Sequence, residues 1–61
     1  MLYMVYVMFK NDPDLEWFPY SGIEHDYKEL AINEAAEALS NPSIKDVKIE
    51  EYVWTNEKKD I

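Results

Sequence analysis

His25 is the single histidine of this 61-residue chain, and it stands between Glu24 and Asp26. Ser21 lies four residues earlier, so Ser21, His25 and Asp26 together supply the residue types of a hydrolase triad. A triad needs more than types. The imidazole must sit between hydroxyl and carboxylate, beside an oxyanion hole and a substrate cleft. Consecutive side chains do not converge on one point in a helix or a strand. Capping of a helix by Ser21 or Asp26 therefore explains these residues better, and His25 is expected to be a solvated loop residue. No two of Ser21, His25, Glu34 and Glu51 are expected to meet, and the chain is read as non-enzymatic.

Asp12, Asp14 and Glu16 alternate and could suggest a calcium loop. An EF-hand needs glycine at its sixth position and a carboxylate at its twelfth. Counted from Asp12, those positions hold Trp17 and Ile23, so a turn is the better reading, and no metal or cofactor is expected. Glu34 and the pair Glu50 and Glu51 lack the cleft that carboxylate chemistry on sugars requires. Glu34 is expected to reach water from the border of a helix, and the pair to mark a sheet edge. Trp17, Tyr52 and Trp54 could stack bases, but such platforms lie in positively charged grooves.

The charge here has the opposite sign. Thirteen acids stand against six lysines, giving −7 with no arginine. Direct nucleic-acid binding, which needs a basic footprint, is thereby disfavoured. A single glycine rules out the Gly-rich phosphate loops, and the lack of cysteine rules out disulfide staples. Residues 11 to 40 carry the whole excess, eight acids against Lys28. Within them Asp12, Asp14, Glu16, Glu24, Asp26, Glu29 and Glu37 form the candidate partner-binding surface, read as one acidic region suited to a basic partner.

The elements that position these groups follow from hydrophobic period. Residues 2 to 10 are apolar on both alternating faces, which predicts a central strand. The run is too short to span a bilayer and lacks the basic start and small-residue cleavage site of a secretory leader. No membrane association is expected, and a cytoplasmic location is. Asp12-Pro13 predicts a type I turn. Leu15 to Tyr20 follows as a short strand that Pro19 confines to an edge. Asp26 then serves as the expected N-cap of a helix from Tyr27 to Ser40, with Tyr27, Ala31, Ile32, Ala35, Ala38 and Leu39 on its buried face. Asn41-Pro42 stops it. Ile44 to Thr55 is the third strand, with a bulge expected at Glu50-Glu51. Residues 55 to 61 are expected to fray.

The result is one α+β domain over residues 1–61, of order ββαβ. It has a three-stranded antiparallel sheet in the order 2-1-3 and one helix on one face, the crossover being right-handed. Val5, Val7, Val47 and Ile49 should lie under the helix. The other face would carry Leu2, Met4, Tyr6, Met8, Tyr52 and Trp54 uncovered, a surface of the kind that marks interaction sites. Met4, Tyr6, Met8, Tyr52 and Trp54 are therefore the candidate self-association residues. Two functions fit. The first is a non-catalytic protein-binding module, in its sharpest form a small phage or mobile-element inhibitor whose carboxylates stand in for nucleic-acid phosphates on a host protein. The second is a homodimeric structural or regulatory subunit, joined through the uncovered sheet face or by pairing the edges of the third strand.

Overall fold

Val5 and Val7 have no solvent exposure, and the rest of the fold is arranged around the strand that holds them. A computed structural model describes residues 1–53. The expected Trp54 contact and the expected frayed tail lie outside these residues. The described chain forms β1 (Leu2–Phe9), β2 (Trp17–Pro19), α1 (Lys28–Leu39) and β3 (Ile44–Tyr52). The sheet order is β2-β1-β3, with both pairings antiparallel. The fold class and strand order read from the sequence are those observed. No helix among the described residues is long and apolar enough to cross a membrane.

The turn after β1 follows the residue chemistry of Asp12-Pro13. Leu15 N–H donates to the Asp12 carbonyl, closing the four-residue turn. The Asp12 carboxylate accepts from the N–H groups of Asp14 and Glu16. These bonds hold Leu15 at φ 52°, in the left-handed region, where a Cβ costs roughly 1–2 kcal/mol. Leu15 is half in water, so little packing offsets that strain. Leu15→Gly is expected to raise stability by about 0.5–1 kcal/mol, read as a higher urea midpoint at unchanged slope. This turn delays β2, which begins at Trp17 and not at Leu15.

The helix begins later than the capping pattern suggests. Tyr27 occupies the N-cap with extended backbone and no side-chain cap, so Asp26 does not serve. His25 is the reason. It exchanges both backbone hydrogen bonds with Tyr3, which keeps the chain in the sheet one residue before Asp26. The buried stripe is narrower than expected. Ala31 and Ala38 are fully buried, whereas Tyr27, Ile32 and Leu39 are exposed. The alanines let the helix approach β1 and β3 closely. Val7, Ala38 and Ile44 form the centre of the core, flanked by Tyr20 and Val47.

Glu50 and Glu51 pair regularly with Met4 and Tyr3, so the expected bulge is absent there. The register shifts at the other end of the ladder, where Met8 faces Asp46 but Phe9 faces Ile44. Alternation puts the two carboxylates on opposite faces, and each finds a lysine. Glu50 meets Lys48 at 2.8 Å, and Glu51 meets Lys28 at 3.8 Å.

Candidate functional site

Glu34 falls between Ala31 and Ala38 on the helix, three residues after one and four before the other, and so on the face turned to the sheet. There it is the hub of a polar cluster. Ser21 Oγ donates to its Oε2 at 2.6 Å, and His25 Nε2–H donates to its Oε1 at 2.5 Å. Only 14% of the His25 side chain and 11% of the Glu34 side chain remain exposed. Ser21 Oγ also accepts from Ile23 N–H, closing a small turn around Gly22, whose φ of 78° suits glycine. The cluster therefore clips the β2–α1 connection onto the helix.

This overturns three sequence expectations. His25 is not a solvated loop residue, Glu34 does not reach out to water, and three of the four groups expected to stay apart come together. Sequence reasoning placed Glu34 on the border of the apolar stripe. It could not foresee that the Tyr3–His25 bridge would carry the imidazole over to the same side. The available signal was a Glu flanked by two alanines at core spacing, with a Ser and a His four residues apart nearby.

The order of groups differs from that of a hydrolase. The carboxylate lies between hydroxyl and imidazole, so the serine hydroxyl donates to Glu34 and not to the histidine that takes this proton in a Ser-His-Asp triad. Asp26 takes no part. Among the described residues no cavity opens, and no three metal-ligating side chains are grouped as a site.

The acidic positions are distributed along the long axis of the sheet. Asp12, Asp14 and Glu16 lie at the turn end of β1. Glu24 and Asp26 lie at the opposite end, beside the Tyr3–His25 bridge. Glu29 and Glu37 share the outer side of the helix. Eight strand residues at about 3.3 Å each separate the two ends by more than 20 Å. That is more than the ~8 Å screening length at physiological salt, so the carboxylates at one end of the sheet are screened from those at the other, with Glu29 and Glu37 set apart on the helix. Asp12 is occupied by its own turn, and Glu24 accepts from the Tyr52 hydroxyl at 3.2 Å. Asp14, Glu16, Asp26, Glu29 and Glu37 are exposed.

The sheet face away from the helix carries Leu2, Met4, Tyr6, Met8, Trp17 and Tyr52, all half-buried. It is partly roofed by its own charged residues. Lys48 Nζ lies 4.6 Å from the Trp17 ring centre and 5.9 Å from that of Tyr6, a cation–π arrangement. Trp17 is the member of this face that the sequence reading did not place there. Loss of solvent, reinforced by the Glu24 charge and hydrogen bond, raises the Tyr52 phenol above the usual tyrosine value. The neutral phenol's contribution is therefore fully present below that usual value and is lost as pH rises through the raised one.

No protein-family model, curated protein or solved structure matches this chain.

Proposed function

We propose that this chain is a non-catalytic binding module that presents its carboxylates to a basic surface on another protein, as an inhibitor occupying a nucleic-acid-binding groove would. One observation carries this reading. Asp14, Glu16, Asp26, Glu29 and Glu37 face solvent with no lysine within ion-pair distance among the described residues, while Lys28 and Lys48 are already engaged by Glu51 and Glu50. Their placement at two ends and along the outer helix favours an elongated basic track over a compact patch. Carboxylates so far apart gain from one partner only if its positive charge is equally extended. The Ser21–Glu34–His25 cluster has a structural role in this reading, since it holds the connection that carries Glu24 and Asp26.

The experiment is capture from a host lysate on the immobilised chain, eluted by salt or by heparin. Nucleic-acid-binding proteins are expected to be retained, to leave between about 0.05 and 0.5 M salt, and to be displaced by heparin. A variant combining Asp14→Asn, Glu16→Gln, Glu29→Gln and Glu37→Gln should retain none of them. Capture that survives these substitutions or ignores heparin would refute the reading.

A further inference from the structure

We propose that the free edge of β3 seats a second copy of this chain, paired antiparallel across a two-fold axis beside Ile49. The inference is independent of the acidic-surface reading and uses a different side of the molecule. Tyr3 exchanges both its backbone bonds with His25, and the Val5 carbonyl accepts from Tyr20 N–H. The odd-numbered residues of β1 thus turn their backbone groups toward β2. Their opposites on β3, Val47, Ile49 and Glu51, turn theirs away from β1, out of the sheet. Val47 N–H is taken by the Asp46 carboxylate at 2.8 Å. The N–H groups of Ile49 and Glu51 have no such side-chain acceptor among the described residues and form a short open template.

Symmetry then limits the register. A two-fold axis normal to the sheet keeps each face on its own side, so one residue must face its own copy. An axis beside Lys48 would oppose Lys48 to Lys48 and Asp46 to Glu50. An axis beside Glu50 would oppose two glutamates. An axis beside Val47 meets the occupied N–H and runs into the register shift near Lys45. An axis beside Ile49 uses the open N–H groups of Ile49 and Glu51, the latter donating to the Val47 carbonyl of the other copy while Val47 N–H stays with Asp46. It sets Lys48 opposite Glu50 twice, in the closely spaced kind of pair. Lys48, which in the single chain lies over Trp17 and Tyr6, turns outward to Glu50 of the other copy, and charges that would otherwise guard this edge become self-complementary in that one arrangement.

The helix supplies a second layer. Lys28 reaches Glu51, so the flank bearing Lys28 overhangs β3. At 100° per residue Ile32 and Leu39 share that flank, and they are 49% and 63% exposed. In the paired form the two flanks face each other above a continuous six-stranded sheet.

The test is sedimentation equilibrium of the full chain together with Lys48→Glu, Glu50→Lys and the variant carrying both. The expected result is a dimer that either single change weakens about tenfold or more and that the double change restores. Because each copy carries −7, moderate salt should strengthen association, the reverse of the salt response expected for a basic partner. Hydrogen exchange supplies the positional readout. The Ile49 and Glu51 amides should slow as concentration rises, whereas a dimer through the open sheet face would leave them fast. A monomer up to about 1 mM, a double variant no tighter than the singles, or a dimer whose Ile49 and Glu51 amides exchange at the monomer rate would each overturn the proposal.

Discussion

Val7→Ala is expected to cost about 2 kcal/mol of folding stability. Val7 is fully buried against Ala38 and Ile44, with Tyr20 and Val47 closing the sides. Removing two carbons forfeits about 0.8 kcal/mol each in transfer free energy, and the cavity adds to that. Collapse cannot recover much, because the neighbour across the gap is Ala38, which has no further side chain to move in. A domain of this length holds roughly 3–9 kcal/mol in total, so this one change removes a large share. Urea unfolding should show a lower midpoint at unchanged slope. Leu30→Ala, on the exposed side of the helix, should stay within about 0.5 kcal/mol. Equal effects at the two positions would mean that the helix is not seated on β1 as described.

Glu34→Ala is the second large effect, expected at about 1–3 kcal/mol. It leaves His25 Nε2 without its acceptor where little of the ring meets water, and an unmet donor there costs its desolvation, whereas the exposed Ser21 hydroxyl turns to water. Glu34→Gln keeps the shape and one acceptor oxygen but turns an amide N–H₂ toward a donor, so it should fall between wild type and alanine. The damage has a local signature. The amides of Tyr3 and His25, which bond each other, should lose hydrogen-exchange protection before the rest of β1. A stability for Glu34→Ala equal to wild type would return the connection to the solvated state that its sequence suggests.

The contrast between these two positions shows how far the sequence can be read. Val5 and Val7 were legible because a strand apolar on both faces has to be central, and Pro19 and the β3 charges then leave the edges to the other two strands. The Asp12 turn was legible because its chemistry is local. Glu34 was not, because its environment is made by residues 9 and 13 positions earlier in the chain, brought there by a single pair of backbone bonds between Tyr3 and His25. The displaced bulge has the same origin. Glu50 and Glu51 look incompatible when adjacent, but each is matched by a lysine, and Lys28 comes from another element. Ile32 and Leu39 were assigned to the core on period alone. With so narrow a sheet, the helix buries little beyond its alanines, and their flank extends past the last strand.

Placing β1 at the centre also fixes an order in time. Among the described elements the strand is synthesised before the rest, yet its second neighbour is β3, the one made after the others. Pairing Leu2 with Tyr52 closes nearly the whole described length, the kind of distant contact that slows folding. Until β3 arrives, a nascent or refolding chain displays an eight-residue apolar strand with at most three residues of β2 beside it, a segment prone to pair with its own kind. The stretch that follows it at once, residues 11 to 40, carries the entire charge excess. Mutual repulsion between those stretches keeps unfinished chains apart during the interval in which nothing else covers the strand.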